Sequence, residues 1–461
     1  MDQTQNKMGT QKMVPLIFSM ALPAMISMLI SALYNIVDSI FVAKYSQDAL
    51  TAVSLVFPLQ QLVIAIAVGT GVGVNSLIAR RLGARMQSEA DSAARHGVAL
   101  SVVSGIVFIF IGFFLSRPFL AAFTNRASIL EQAVQYSHIA VGLSIFVMIS
   151  IMCEKIQQAT GNMIIPMVQG LTGAIFNIIL DPLMIFGIGP FPEMGIRGAA
   201  IATVIGQVFG MFVGIWGAFF HQKVVDVHMR GFRWEGAAVR EIYRVGLPGI
   251  VMQSISSVMV SGMNLILITF SEVAVAVLGI YFKLQTFVFM PVFGLNQGAL
   301  PVMAFNYGAH NRHRLMSAYR VSLIAAFVIM IAGLVAFQVL PEPMLMLFAD
   351  TNDAAATATL LELGTPALRI ISLSFPCAAF GIITSTLFQS VGRGVASLLV
   401  SVARQLLAIL PAAWLLGKLY GLPEIWFSFP IAEVIAVILS TVLLYHAYHT
   451  ELRFLETPKE G

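Results

Sequence analysis

The stretch FPLQQLVIAIAVGTGVGVNSLIARRLGA (57–84) recurs later in the chain, in altered form, as FKLQTFVFMPVFGLNQGALPVMAFNYGA (282–309). The correspondence extends from residues 21–84 to residues 246–309 at a constant offset of 225, without a gap and with 15 identities in 64 positions. Shared apolar composition alone does not produce so many matched Gly, Pro and Gln residues in one frame. The chain of 461 residues is therefore built from two copies of one unit.

The matched residues are those that shape helices and their contacts. Small residues let helix backbones approach closely, and GTGVGVNS (69–76) is typical of such packing. A second block agrees at an offset of 231. The matched pairs include Leu22-Pro23 with Leu247-Pro248, Gln60 with Gln285, Gly69 with Gly294, Gly73 with Gly298, Gly83 with Gly308, and Gln158 with Gln389.

Composition places both copies in a membrane. Hydrophobic residues make up 58% of the chain and charged residues only 10%, against roughly 25% charged residues in a soluble domain. The apolar runs are long enough to cross a bilayer, and they are apolar all round, which excludes a barrel of alternating strands. We predict an all-α integral membrane protein with twelve transmembrane helices, near 15–42, 50–79, 94–116, 131–157, 163–187, 197–220, 240–270, 275–300, 317–340, 363–390, 395–417 and 425–448.

Each copy contains six spans, so both copies insert with the same orientation. This arrangement predicts two six-helix lobes related by a pseudo-two-fold axis along the membrane normal, a layout known among secondary transporters. The predicted boundaries are 1–220 for the N-terminal lobe, 221–244 for a cytoplasmic linker and 245–461 for the C-terminal lobe.

The distribution of basic residues predicts the orientation. Arginines and lysines concentrate in the connections between spans 2 and 3, 6 and 7, and 8 and 9, whereas the connection at 341–362 is acidic. The positive-inside rule then places both termini in the cytoplasm. The polar segment 1–12 predicts no cleaved leader. These loops account for the net charge of +4, so we expect no nucleic-acid partner.

Two aspartates are conspicuous because an ionised side chain at mid-bilayer costs roughly 2.5–3.5 kcal/mol. Asp38 lies six residues before Lys44, at the outer end of span 1. Asp181 lies six residues before Gly187, at the outer end of span 5. At about 1.5 Å per residue, both carboxylates lie about 9 Å below the outer boundary. Equal depth allows one shared site for a proton or a hard cation.

Neighbouring groups complete a candidate cation-coupling site. Asn177 lies one turn from Asp181 on the same helix face, and Thr203 in span 6 supplies a hydroxyl. Pro182 has no N–H, so the carbonyl of Ile178 is free to face a cation or water. The supporting positions, each within one turn of an aspartate, are Tyr34, Asn35, Ile178 and Pro182.

The acidic cluster belongs to the first copy alone, so the fold does not need it for packing. An alternative is that each aspartate pairs with a nearby cation or caps local backbone. We favour a functional role, since intramembrane acids are functional by default. The equivalents in the second copy are Met263 for Asp38, Ala412 for Asp181, Ala408 for Asn177 and Val434 for Thr203.

Other ionisable groups also lie inside predicted spans. Lys283 in span 8 and Glu433 in span 12 have the same depth, about 13 Å from the outer face, which predicts an ion pair within the second lobe. The alternative is that Lys283 lines a central cavity. Arg404 in span 11 belongs to the same set. Glu154 and Lys155 lie near the inner end of span 4, where we expect them to reach the interface and carry no chemistry.

The chain resembles the multidrug and toxic compound extrusion (MATE) family in its Leu-Pro openings of spans 1 and 7, in IYFKLQTFVFMPVFGLNQG (280–298) and in FNYGA (305–309). NIILDPLMIFG (177–187) is similar to the fifth helix of the bacterial DinF-type branch of that family. The resemblance covers essentially the whole chain. It implies a V-shaped antiporter that exports amphipathic, often cationic drugs in exchange for H⁺ or Na⁺.

The resemblance also implies site residues. In the DinF-type branch, the coupling residues are acids in helices 1 and 5 with a nearby Asn and Thr. The NorM-type branch couples through acids in helices 7 and 10, and this chain has Gln253 and no acid in the interior of span 7, and none in that of span 10. The positions that match the DinF-type pattern are Asp38, Asp181, Asn177 and Thr203, and they would also be the ligands of Na⁺ if sodium is the coupling ion.

The sequence therefore predicts a cation-coupled exporter in a bacterial cytoplasmic membrane. We expect small amphipathic substrates, surrounding lipid, a monomeric state, no cofactor, and bending of span 1 at Pro23 when the aspartates are neutralised. Whether H⁺ or Na⁺ couples is left open. Three alternatives are a lipid-linked saccharide flippase, a membrane-embedded enzyme and a passive channel. Few interior cations weigh against the flippase, and the absence of a nucleophile–base pair or metal set weighs against the enzyme.

Overall fold

The computed structural model describes residues 6–349 and 353–455, and their regular secondary structure is helical throughout. The main helices, labelled in chain order, are α1 Met13–Tyr45, α2 Gln47–Gly83, α3 Gln87–Ala121, α4 Ala127–Ala140 with Ile145–Ala159, α5 Ile164–Phe186, α6 Ile196–His221, α7 Gly236–Leu267, α8 Glu272–Gly308, α9 Arg312–Val339, α10 Ala354–Ser372 with Phe375–Ser390, α11 Gly394–Tyr420 and α12 Ser428–Thr450. Short helical segments are Lys7–Thr10, Pro341–Met346, Leu422–Ile425 and Leu452–Phe454.

These helices confirm the predicted all-α membrane fold. Within the described residues, ten are continuous, long and apolar enough to cross a bilayer, and α4 and α10 are pairs bent by 43° and 46°. Counting each bent pair as one span gives twelve. The two bends fall at positions related by the offset of 231, so the duplicated unit carries its own kink. Large apolar side chains such as Phe114 (70% exposed) and Leu407 (69% exposed) cover the outer surface, as lipid contact requires.

The repeat-related glycines lie where the two halves of the chain meet. A Cβ added to Gly83 would lie 1.9 Å from the carbonyl oxygen of Phe305, and one added to Gly308 would lie 1.9 Å from that of Arg80. Because residues 80 and 305 are themselves related by the offset of 225, exchanging the two copies turns one contact into the other. Gly69 contacts Ile250, and Gly294 contacts Met25. These two contacts are related by the same offset of 225. The internal duplication is therefore a two-fold relation in space.

These close contacts all lie in the half of the bundle where α1 begins and α2 ends. We call this end the basic end, after the arginines of the α2–α3, α6–α7 and α8–α9 connections. The opposite end is called the far end. The two lobes are thus joined by glycine-lined helix contacts near the basic end. The residue boundaries predicted for the lobes and the linker remain predictions.

The segment between α6 and α7 folds back onto α3. The backbone N–H of Asp226 donates to Asp91 Oδ1 at 2.9 Å, and the Asp226 carboxylate forms a salt bridge with Arg95. The backbone N–H of His228 also donates to that carboxylate, and these donors lower the pKa of Asp226 to about 2. The backbone N–H of Glu235 donates to His96 Nε2 at 2.8 Å, which fixes the end of the segment.

Candidate functional site

The structure brings Asp38 and Asp181 together between α1 and α5. Their carboxyl groups lie within hydrogen-bonding reach of each other. Asp181 is fully buried, and Asp38 is partly exposed. Two ionised carboxylates offer only acceptors and repel each other, so this approach is stable only with a proton or a cation between them. The predicted meeting of spans 1 and 5 at one depth thus corresponds to a real side-chain contact.

Asn177 and Thr203 extend the same cluster. The Asn177 side-chain amide donates to Asp181 Oδ1 at 3.3 Å and to Thr203 Oγ1 at 3.2 Å. Thr203 in turn donates to the carbonyl of Ala199 at 3.0 Å. Close packing of α5 against α6 makes these contacts possible, since Gly173 and Gly206 face each other's backbone. All four predicted site residues are therefore neighbours.

Three oxygens of the cluster lack a donor. Asp38 Oδ1, Asn177 Oδ1 and Asp181 Oδ2 are buried and have no hydrogen-bond partner among the described residues. A buried unpaired acceptor is costly, and several at one place indicate a group that the protein chain does not supply. No ion pair of the described residues involves either aspartate. The alternative that each aspartate is locked to a basic side chain is wrong for this structure.

The supporting residues differ in their relation to the two aspartates. Tyr34 lies within electrostatic range of both carboxyl groups. Asn35 points away, because it is exposed and its amide donates to the carbonyl of Ser31 in its own helix. Pro182 lies inside α5, which leaves the carbonyl of Ile178 without its usual helical donor.

Sequence analysis missed one residue of the cluster. Tyr136 of α4 is buried and lies within electrostatic range of both aspartates. Gln60 of α2 donates to its hydroxyl at 3.3 Å. Gln60 is one of the residues that recur in the second copy, and a recurring polar residue inside a span was the available signal that it has a buried partner.

A broad cavity opens at the far end, between α1, α4 and α6. It has a volume of about 870 Å³ and is bounded by Tyr45 of α1, Gln135 of α4, and Arg197 and Ile201 of α6. Tyr45 is two turns beyond Asp38 on the same helix face. Ile201 lies two residues before Thr203. The cavity therefore lies about two helical turns beyond Asp38, toward the far end.

The charged residues of the second half pair differently from the prediction. Glu433 forms a salt bridge with Arg404 at 3.1 Å, not with Lys283. Arg404 lies in the π-helical turn Ala403–Ala408, which packs on α12, whereas Lys283 is exposed and its amine lies 5.6 Å from the ring centre of Phe348. The predicted ion pair between Lys283 and Glu433 is therefore wrong, because the two side chains have other partners.

Pro23 lies inside α1, which runs on as one helix through it. The backbone carbonyl one turn before Pro23 has no helical hydrogen-bond donor, because proline has no N–H. Bending of α1 at this residue stays a prediction.

The two-fold fold and the buried polar cluster define a membrane transporter. A family model described as MatE matches residues 23–183 and 248–415, which is more than half of the chain, so the chain belongs to this family. It is a multi-span efflux transporter of the cell membrane and not an enzyme.

Relatives and solved structures agree with this assignment. The chain is 26% identical over 429 residues to "Multidrug export protein MepA" of Staphylococcus haemolyticus (strain JCSC1435), covering 92% of each chain. It is 25% identical over 427 residues to the protein of the same name from Staphylococcus aureus (strain MSSA476), again covering 92% of each.

Among solved structures, the chain is similar to an outward-facing multidrug resistance MATE family transporter of the MOP superfamily, with a TM-score of 0.90 and 27% identity over 97% of this chain and 98% of that one. A MOP superfamily transporter from Pyrococcus furiosus Vc1 (DSM3638), whose binding pocket has reverse polarity that suggests a different function, gives the same values. These structures confirm the two-lobe transporter fold.

Proposed function

We propose that this protein exports amphipathic, often cationic compounds from the cytoplasm in exchange for H⁺ or Na⁺. It works by alternating access, as a monomer in a bacterial cytoplasmic membrane with both termini in the cytoplasm. The names of its relatives support multidrug compounds as the substrates. The relatives give no support to the lipid-linked saccharide flippase.

The observation that carries cation coupling is the set of three unpartnered oxygens on Asp38, Asn177 and Asp181. Carboxylate and amide oxygens suit Na⁺, and a close pair of carboxylates also holds a proton well. Thr203 and the free carbonyl of Ile178 add further oxygens nearby. The donor set therefore fits either coupling ion.

A cation enters through the cavity of about 870 Å³ at the far end and neutralises the repulsion between Asp38 and Asp181. The N-terminal lobe then repacks, with α1 bending at Pro23, and releases the drug. Each charge that crosses the membrane gains roughly 2.3 kcal/mol per 100 mV, which is enough to drive useful export.

The contacts between the lobes support alternating access. Glycine-lined contacts hold the lobes together near the basic end, which the positive-inside rule assigns to the cytoplasm. The similarity to an outward-facing transporter supports the same direction of opening. Export then requires these contacts to separate and re-form in every cycle.

Purified protein in lipid vesicles tests the function directly. Efflux of a fluorescent organic cation is followed under an imposed pH gradient and, separately, under an imposed Na⁺ gradient. We expect efflux under at least one gradient and none without either. Efflux at the same rate in the absence of both gradients would indicate a passive channel and contradict the proposal.

A further inference from the structure

Lys155 is the most buried lysine near the lobe interface. Only 4% of it is exposed, so the expectation that it reaches the membrane interface from the end of α4 is wrong. Its amine donates to Glu154 Oε1 at 2.9 Å, to Gln158 Oε1 at 3.0 Å and to Gln297 Oε1 at 2.9 Å. An ammonium group has three N–H donors, and all three are used here.

This network crosses from one lobe to the other. Lys155 and Gln158 belong to α4, whereas Gln297 belongs to α8. Gln158 donates to Gln297 Oε1 at 2.9 Å, so the same oxygen accepts from both α4 side chains. Separation of the lobes at the basic end breaks both bonds and leaves a buried ammonium short of one acceptor, which is costly.

A glycine makes room for the lysine. A Cβ added to Gly71 of α2 would lie 2.6 Å from Lys155 Cγ, so the lysine stem passes directly over this residue. Gly71 lies in the segment GTGVGVNS (69–76), whose other glycines contact α7. The lysine reaches the other lobe because α2 has no side chain at this point.

Within the described residues, an uncharged pair replaces this network in the second copy. Thr386 is equivalent to Lys155, and Asn296 is equivalent to Gly71. Thr386 donates to Asn296 Oδ1 at 2.6 Å, within the C-terminal lobe. An uncharged pair thus satisfies the same position of the fold, so helix packing does not require a lysine there.

A small cavity adjoins the network. It has a volume of about 90 Å³, and Ser27, Ser31, Glu154, Gln158 and Gln297 contribute to its lining. That volume holds roughly three water molecules. Water is therefore available to solvate the network as soon as the lobes begin to part, so the bonds can break and re-form during a cycle.

From these contacts we propose that Lys155, Gln158 and Gln297 form a latch between the lobes. The latch holds the basic end closed, and Glu154 holds Lys155 in position for it. This inference rests on the alternating-access part of the proposed function and is independent of which ion couples. Lys155 and Gln297 affect transport indirectly, because they set the position of the two lobes relative to each other.

Distances between the lobes test the latch. Ser88 and His313 are exposed, repeat-related positions in the first turns of α3 and α9 at the basic end. Each is replaced by a spin-labelled cysteine, with Cys153 and Cys377 replaced by serine, and distance distributions are measured in lipid by pulsed electron paramagnetic resonance. The ratio of the long-distance to the short-distance population reports opening of the basic end.

The latch predicts opposite results for two variants of Gln297. Gln297→Leu removes the acceptor, and we expect the open-to-closed ratio to rise roughly ten-fold. Gln297→Glu gives Lys155 a charged acceptor, and we expect the ratio to fall by a similar factor. Gly71→Ala displaces the lysine stem without removing a polar group, and it should also raise the ratio. Thr386→Val is the matched control and should leave the ratio unchanged.

The outcomes separate the latch from the proposed function. Equal ratios in wild type, Gln297→Leu and Gln297→Glu, with both populations present, would overturn the latch and leave alternating access intact. A single short distance in every variant, with and without substrate, would overturn alternating access and the latch with it. Opposite shifts for the two Gln297 variants support the latch, because a merely structural role does not predict a gain from Gln297→Glu.

Discussion

The two lobes share one backbone plan but differ in how they treat buried charge. In the N-terminal lobe, Asp38 and Asp181 approach each other with no basic partner among the described residues, and three nearby oxygens lack donors. In the C-terminal lobe, the equivalent positions are Met263 and Ala412. The charge that this lobe does bury, on Glu433, is paired with Arg404.

This difference shows which charges are free to change. In an ion pair such as Arg404–Glu433 each charge stabilises the ionised form of the other. A pair of carboxylates without a cation changes its net charge whenever a proton or Na⁺ arrives. Because the second copy of the unit has Met263 where the first has Asp38, the proposal assigns the acids to coupling and not to packing.

Neutralising Asp38 in one lobe and the Arg404–Glu433 pair in the other gives the largest expected contrast. Asp38→Asn removes a coupling charge, and efflux driven by the gradient should fall about 50-fold or more, given roughly 2.3 kcal/mol per charge for each 100 mV. The paired change Arg404→Gln with Glu433→Gln should leave efflux within about three-fold, since removing both partners of a buried pair is often nearly neutral. Dye efflux from vesicles with equal amounts of inserted protein measures both. Full efflux by Asp38→Asn would remove this residue from the mechanism.

Substitutions at the glycine contacts test whether the two lobes contribute equally to the contact between them. Gly83→Ala and Gly308→Ala each place a Cβ 1.9 Å from a carbonyl oxygen of the other lobe. Overpacking of this kind costs about 1–3 kcal/mol, so both variants should open the basic end roughly ten-fold more often, and to a similar degree.

The spin-label distances described above measure this opening. Gly279→Ala is the control, since an added Cβ meets no atom within 4 Å. An effect from only one of the repeat-related variants would show that the lobes do not contribute equally to the contact.

Smaller effects are expected from the neutral members of the cluster. Asn177→Ala removes the bonds to Asp181 and Thr203, and Thr203→Val removes those to Asn177 and Ala199. Because one such bond is worth about 1 kcal/mol, efflux should fall at least roughly five-fold at limiting gradient. Val434→Thr adds a hydroxyl at the equivalent position of the other lobe, which is 50% exposed, and should have no effect. The apparent affinity for the coupling ion measures the change. Unchanged affinity in both site variants would exclude them as ligands.

The smallest effect concerns the segment between the lobes. Donors to Asp226 lower its pKa to about 2, from an ordinary value near 4. The Asp226 carboxylate therefore contributes fully to holding the segment on α3 above about pH 4. This contribution is lost as the pH falls through about 2. Asp226→Asn should increase proteolysis of the segment modestly at pH 7, whereas wild type should show equal proteolysis at pH 7 and pH 5. A large change between those two pH values would assign the docking to another group.

Sequence reasoning reached the fold and the composition of the acidic cluster for clear physical reasons. Hydropathy fixes spans, the duplication fixes their grouping, and residue counts along a helix fix depth, which was enough to match Asp38 with Asp181. It did not reach the partner of Glu433 or the burial of Lys155. Those depend on the rotation of each helix about its axis, and the absence of a side chain at Gly71 became meaningful only once α2 and α4 were seen in contact.

Cation release on drug binding tests the central claim most directly. Purified protein in weakly buffered detergent solution is mixed with a fluorescent organic cation, while released H⁺ is followed with a pH indicator and released Na⁺ with a radioactive tracer. We predict release of one of these ions from wild type and from Glu433→Gln, and none from Asp38→Asn. Equal release from Asp38→Asn and wild type would contradict the account.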